Sequence, residues 1–178
     1  MALNRMAQAK GALTRLLQNA YRRRDRVSLV GLRGEGADTL LAPTRSVELG
    51  KRAVDAMPAG GATPLAAGLV KALDIARDAR MRDNSEVMVV LFTDGRANVS
   101  LRRQDESDPI SRDKWIAAEL REIGAELERE GVSSVVIDTK SKFVSGGEGR
   151  ALADLLGGRY LYLPRANEET IYEAVTRL

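Results

Sequence analysis

The sequence predicts an α/β fold in which a mostly parallel sheet is covered by helices on both faces. The first observation is an unbroken apolar run at residues 87–92, which stops abruptly at Thr93-Asp94-Gly95. A strand that is apolar on both faces is typical of a parallel sheet with helices on either side. The second observation is that strand-like and helix-like segments alternate along the chain, which favours parallel strands joined by helical crossovers.

The elements follow from periodicity and from start and stop signals. Residues 3–21 have helical periodicity almost from Met1, with no capping residue before it. Ser46 is a suitable N-cap for the second helix, and Thr63 followed by Pro64 is a standard helix start. The predicted elements are a helix at 3–21, strands at 26–32 and 38–41, helices at 47–57 and 65–80, a strand at 87–92, a helix at 114–130, a strand at 132–138, a helix at 151–156, a strand at 159–163 and a helix at 168–178.

Two details of these elements matter later. The strands at 26–32 and 38–41 flank a glycine-rich turn, which predicts a hairpin that ends at Pro43 and adds one antiparallel edge strand to the sheet. Two helices have clear apolar stripes that we expect to be buried. The stripe residues are Leu3, Met6, Leu13, Leu16, Leu17, Ala20 and Tyr21 in the first helix, and Trp115, Ile116, Leu120, Ile123 and Leu127 in the helix at 114–130.

Composition restricts the chemistry. The 178 residues predict a single domain and include no cysteine and no histidine. Disulfides, histidine general bases and Ser-His-Asp or Cys-His nucleophile systems are therefore excluded. Any bound metal must be a hard cation held by oxygen atoms, such as magnesium, manganese or calcium. No stretch has the length and apolarity of a membrane span, and no signal peptide pattern opens the chain.

The net charge of +3 hides an asymmetry, because residues 1–34 sum to +7 and the remainder to −4. A basic end of this kind can bind nucleic acid, but it can also be a solvated helix face or a docking surface for an acidic protein. No aromatic residues alternate with the basic ones, so the stacking expected of single-strand binders is not predicted. We therefore expect no nucleic acid partner.

Three oxygen-bearing residues stand where a parallel α/β sheet binds ligands. Asp94 and Asp138 follow strands, and Thr63 precedes a helix. The carboxyl ends of the strands are the usual ligand-binding edge of such a sheet, and oxygen ligands with water suit magnesium. Taken one at a time, Asp94-Gly95 is also a simple turn and Thr63 is also a helix cap. The polar segment 99–113 leaves the sheet at the same edge and is expected to be either mobile or functional.

Several blocks resemble the von Willebrand factor A, or integrin I-like, domain. They are GGATPLAAGL at 60–69, VMVVLFTDGRAN at 87–98 and VVIDTKSKFVSGGEGRALADLLGGRYLYLP at 135–164. The chain is most similar to the subfamily at the C-terminus of magnesium chelatase D subunits, and MALNRMAQAKGALTRLL, YRRRDRVSLVGLRG and LLAPTRS match that subfamily too. The resemblance covers essentially all of residues 1–178, although Lys140 stands where the family pattern has an acid.

The resemblance implies a metal-ion-dependent adhesion site, and Thr63 and Asp94 match two of its ligands. The family's Asp-x-Ser-x-Ser element has no counterpart in the sequence, and it would end just before Met1. We therefore expect an N-terminally truncated domain that lacks the central first strand of a sheet ordered 3-2-1-4-5-6. Magnesium binding would then be weak or absent in this chain, and tighter in a chain extended upstream. The strands at 26–32 and 87–92 would lose their shared neighbour.

The function that the resemblance implies is a non-catalytic docking module. Magnesium chelatase uses ATP to insert magnesium into protoporphyrin IX for chlorophyll or bacteriochlorophyll. The implied partners are its AAA+ ATPase subunit and its porphyrin-binding subunit, in the cytoplasm of a phototrophic bacterium or the chloroplast stroma. Two alternatives stay open: a module of a cobalt chelatase-like or other AAA+-associated complex, and a small phosphate-binding enzyme using the glycine-rich loop at Gly146. Glu148 in that loop would repel phosphate, which favours a loop and helix cap there.

Overall fold

A computed structural model describes residues 2–57, 63–93, 99–101, 109–139 and 147–162. Helices and strands alternate after an N-terminal helix and hairpin, as the sequence predicts. The elements are α1 (Ala2–Arg23), β1 (Val27–Arg33), β2 (Gly36–Thr44), α2 (Val47–Asp55), α3 (Leu65–Asp83), β3 (Met88–Thr93), α4 (Pro109–Arg129), β4 (Ser133–Asp138), α5 (Glu148–Leu155) and β5 (Arg159–Tyr162). The helix predicted at 168–178 lies outside the described residues.

The strands form two sheets. β3, β4 and β5 make a parallel sheet in that order, and β1 pairs with β2 in an antiparallel hairpin. The α/β class and the hairpin are confirmed. The prediction that the hairpin adds an edge strand to the main sheet is wrong, because no ladder joins β1 to β3 in the part of the chain that the structure describes. Two sheets are the arrangement expected if the strands at 26–32 and 87–92 have no shared neighbour.

The parallel sheet lies between two layers of helices. Successive residues of β3 point to opposite faces, so Val89 and Leu91 pack into one core cluster while Val90 and Phe92 pack into the other. The first cluster also contains buried residues of α3, α4 and α5, and the second contains Ala12 of α1. The apolar run that predicted a strand covered on both faces is therefore confirmed.

Two predicted core residues are instead exposed. Trp115 of α4 is 40% exposed, whereas Ile116, Leu120, Ile123 and Leu127 are buried as predicted. The buried residues are three or four positions apart, and Trp115 is one position off that stripe, so it lies at the margin of the buried face. Tyr21 is 60% exposed in the last turn of α1, one turn beyond the buried Leu17.

Three element boundaries also differ from prediction. β2 continues through Pro43 to Thr44, because the ladder with β1 shifts register between Leu29 and Val27 and does not need an N–H from the proline. α4 begins at Pro109, five residues before the predicted start at 114. The N-cap of α3 is Pro64 rather than Thr63, while Ser46 caps α2 as predicted by accepting a 3.3 Å hydrogen bond from the Leu49 N–H.

Candidate metal centre at the carboxyl edge of the sheet

The three parallel strands end at one level. Thr93, Asp138 and Tyr162 are register partners at the carboxyl ends of β3, β4 and β5. Thr93 is buried, and its carbonyl oxygen accepts hydrogen bonds from both the N–H (2.9 Å) and the hydroxyl (3.1 Å) of Thr139. These two bonds fix the peptide group that leads into Asp94. Asp94 itself lies outside the described residues.

Thr63 stands at the start of α3, two residues before the helix begins. Leu65 and Ala66 are each 1% exposed, so the first turn of α3 is anchored in the core. The carbonyl of Thr63 accepts a 2.9 Å hydrogen bond from the Leu65 N–H, which fixes the backbone that carries the Thr63 side chain. That side chain is half-buried. The predicted convergence of Thr63 with Asp94 stays a prediction, since only Thr63 belongs to the described residues.

Asp138 is buried at the end of β4 and is engaged by neighbouring elements. Its carboxylate accepts a 3.0 Å hydrogen bond from the Tyr160 hydroxyl on β5. Gly149 of α5 lies so close that a Cβ there would be 2.7 Å from the Asp138 Oδ2 atom. The Arg150 guanidinium lies over the Tyr160 ring at 4.8 Å from its centroid. Burial, followed by the bond to Asp138, raises the pKa of Tyr160 above its usual value.

These contacts assign Asp138 a structural role between β4, β5 and α5. The sequence places Asp138 with Thr63 and Asp94 as a possible oxygen ligand, but it gives no signal for Tyr160, which is 22 residues away in the chain. A hydroxyl and a carboxylate such as those of Thr63 and Asp94 fit a hard cation by donor type. In the residues that the structure describes, no group of three or more acidic side chains could hold a metal ion.

Glu119 is a second buried acid near this edge, and sequence reasoning missed it. It is 3% exposed on α4 and accepts hydrogen bonds from Ser100 and Leu101, in the connection between β3 and α4. In the sequence it is one charged residue of a helix rich in charge, so nothing distinguishes it from a solvated side chain. Its burial depends on long-range packing, which periodicity alone does not reveal.

The glycine-rich loop at Gly146 is described only from Gly147 onward. Gly147 is the N-cap of α5, with a φ of 83° that favours glycine, and Glu148 occupies the first position of the helix. A carboxylate at a helix N-terminus interacts favourably with the helix dipole and leaves a negative charge where a phosphate would have to bind. The described part of this loop therefore agrees with a loop and helix cap.

A charged surface depression of about 460 Å³ lies on α3 and the end of α4. Arg77 pairs there with Glu126 and Glu130, its Nε donating to Glu130 at 3.0 Å. The hydrogen bond to Glu130 raises the pKa of Arg77 above its usual value. Residues 126–130 precede β4, so this cluster is at the opposite edge of the sheet from Asp94, and its charges are already paired.

The class of protein follows from the fold and from a family model. Residues 1–96, more than half of the chain, match the model described as the von Willebrand factor type A domain. The chain belongs to the von Willebrand factor type A domain family. No described helix combines the length and apolarity needed to cross a membrane.

Particular relatives and one solved structure refine this assignment. The chain is 44% identical over 175 residues to the magnesium-chelatase 67 kDa subunit of Chlorobaculum tepidum, with 98% of this chain and 28% of the relative covered. It is 40% identical over 171 residues to the magnesium-chelatase 60 kDa subunit of Cereibacter sphaeroides, covering 93% of this chain and 28% of that one. It therefore spans little more than a quarter of these relatives' length.

Among solved structures, an aerotolerance-related membrane protein from Bacteroides fragilis has a similar fold. The TM-score is 0.68, and 97% of this chain and 89% of that chain are covered. At 14% sequence identity the likeness concerns the fold alone.

Proposed function

We propose that this chain is a non-catalytic docking module of a magnesium chelatase, supporting ATP-dependent insertion of magnesium into protoporphyrin IX. The observation that carries the proposal is the similarity of nearly the whole chain, 93–98% of it, to magnesium-chelatase 67 and 60 kDa subunits. The absence of cysteine and histidine from the sequence supports a binding role over covalent or histidine-based catalysis. The proposed location is the bacterial cytoplasm or chloroplast stroma.

The docking surface that we propose is the carboxyl edge of the parallel sheet. Thr63 and Asp94 would supply part of the ligand set of a magnesium ion, and a carboxylate of the partner would complete it. The fixed peptide after Thr93 supports this role because ligand residues need a rigid backbone. The basic end of the chain, +7 over residues 1–34, would be a second contact with an acidic partner surface. The proposed partners are the AAA+ ATPase subunit and the porphyrin-binding subunit.

Co-precipitation with the separately purified AAA+ ATPase and porphyrin-binding subunits tests the proposal. We expect binding to at least one subunit in magnesium, with a loss of about tenfold or more in affinity on chelation or in Thr63→Ala and Asp94→Asn, since each removes one metal ligand. Thr39→Ala and Asp78→Asn are matched controls, because both residues are exposed and neither is at the carboxyl edge. Absence of binding to both subunits, or equal losses in the controls, would overturn the proposal.

A further inference from the structure

The carboxylate of Glu119 holds two successive residues of the connection that follows β3. Its Oε1 atom accepts a 2.7 Å hydrogen bond from the Ser100 hydroxyl, and its Oε2 atom accepts a 3.0 Å hydrogen bond from the Leu101 N–H. The residue is 3% exposed. A charge this buried is retained only where hydrogen bonds compensate its lost hydration, and bonds to a carboxylate are stronger than neutral ones. We refer to these three residues as the Glu119 contact.

The position of the Glu119 contact relative to the sheet gives it a consequence. The connection starts at Thr93, whose carbonyl is fixed by two bonds from Thr139, and Glu119 fixes it again at Ser100 and Leu101. Only residues 94–99 lie between these two fixed points, and Asp94 is the first of them. Fixing both ends of a short segment removes part of the conformational entropy that ligand binding would otherwise have to remove.

We propose that Glu119 is a positioning residue for the carboxyl-edge site, acting through the connection that carries Asp94. This inference rests on the proposed function, because the site that it serves is the magnesium-dependent docking edge. Glu119 itself would not contact the metal. It would hold the connection in place before the cation or the partner arrives, so that its loss lowers affinity without removing a ligand.

The chain carries its own spectroscopic reporter of this contact. Trp115 is the one tryptophan in the sequence, and it lies on α4 one helical turn before Glu119. It is 40% exposed, so its fluorescence is sensitive to changes in nearby solvation. Cation binding at the Asp94 segment would change the Trp115 emission through the Glu119 contact, and this signal would be lost when the contact is removed.

The experiment compares the full chain with Glu119→Ala, Glu119→Gln and Ser100→Ala, with Glu128→Ala as the control. Glu128 is exposed and lies on the same helix. Amide hydrogen exchange at Leu101 and magnesium titration followed by Trp115 emission are measured for each. We expect Glu119→Ala to accelerate exchange at Leu101 and to weaken magnesium binding, each about tenfold. Glu119→Gln retains an acceptor for Leu101 and a partner for Ser100, so it should recover most of both effects. Ser100→Ala should give a smaller effect than Glu119→Ala.

Unchanged exchange at Leu101 in Glu119→Ala, or the same change in Glu128→Ala, would overturn the inference. An equal acceleration at the buried Val136 amide of β4 would also overturn it, because Glu119 would then stabilise the whole fold and not the connection. If Glu119→Ala does not fold, the comparison of Ser100→Ala with wild type decides by the same exchange criterion. If wild type binds no magnesium while Leu101 still responds, the proposed function fails and the positioning of the connection stands, so the two failures are distinguishable.

Discussion

The two sheets of this molecule contain similar residues but bury them to different extents. In β4, every residue after Ser133 is buried, and Val136 and Ile137 are fully so. In β1, six of seven residues are half-buried and the last is exposed. β3 is intermediate in its environment: it has helices on both faces, but one bonded edge among the described residues, and all but Thr93 are half-buried.

The difference teaches that apolarity does not by itself set burial in a sheet. Residues 89–91 of β3 and 135–137 of β4 are equally apolar in sequence. β4 has a bonded strand on each side, whereas β3 is bonded to β4 alone and β1 to β2 alone. A bonded neighbour covers the side chains at a strand's edge as well as its backbone groups. Stability should therefore be concentrated around β4 and α3.

Removing side-chain volume tests that concentration with the largest expected effect. Ile137→Ala should destabilise the fold by about 2–5 kcal/mol, because Ile137 is fully buried in the parallel sheet and the cavity cannot collapse. Leu40→Ala in β2 should cost less than about 1 kcal/mol, since Leu40 is 39% exposed. Urea unfolding followed by circular dichroism measures both. Equal losses in the two variants would contradict the contrast between the sheets.

Adding a methyl group to a glycine tests the same contrast from the opposite direction. A Cβ at Gly158, which leads into β5, would meet the hydroxyl and the carbonyl oxygen of Ser134. Gly158→Ala should destabilise by about 1–3 kcal/mol, because that carbonyl belongs to the backbone of β4 and cannot move freely. A Cβ at Gly36 in the hairpin would meet nothing within 4 Å.

Gly36→Ala should therefore be neutral or slightly stabilising, by up to about 1 kcal/mol, through a smaller entropy of the unfolded chain. Thermal unfolding of the two variants side by side provides the measurement. A Gly36→Ala variant as destabilised as Gly158→Ala would indicate that the hairpin is packed as tightly as the parallel sheet.

The sequence predicted much of the parallel sheet because its signals are local. The apolar runs at 87–92 and 132–138 and the stripe through Ile116 and Leu120 identify strands and a helix without long-range information. The separation of the hairpin from the main sheet was not predicted from the residues, because strand pairing depends on which edges meet in space. It agrees with the strand order that the family resemblance implied.

The candidate site was predicted unevenly for the same reason. Thr63 and Asp94 were selected from their positions beside predicted elements, and Thr63 does stand at the start of α3. The contacts of Glu119 with Ser100 and of Tyr160 with Asp138 join residues 19 and 22 positions apart. Such side-chain pairs leave no periodic signal, so no reading of a single sequence distinguishes them from charged or aromatic residues elsewhere.

Alkaline pH should weaken the parallel-sheet side through Tyr160. Its folded-state pKa is raised, so its contribution is fully present below the unfolded value of about 10 and is lost as pH rises through the folded value. Tyr160→Phe removes the hydrogen bond to Asp138, which should cost about 1 kcal/mol at neutral pH. The difference in stability between wild type and the variant should shrink above pH ~10. A difference that grows with pH would contradict this assignment; the exposed Tyr21→Phe is the control.

Acid pH should act, more weakly, on the hairpin side through Asp83. The Ser85 hydroxyl and then the Arg26 cation, just before β1, lower the pKa of Asp83 at the end of α3. Since the folded-state pKa lies below the unfolded value of about 4, the contribution is present above that value and is lost as pH falls through the folded one. Asp83 is exposed, so solvent screens the effect and it should be the smallest of the four. Asp83→Asn should lie below wild type in urea midpoint at neutral pH and converge with it in acid, whereas the exposed Asp38→Asn should follow wild type throughout. A gap that widens as pH falls would mean that the Arg26 pairing does not stabilise the junction of the hairpin with α3.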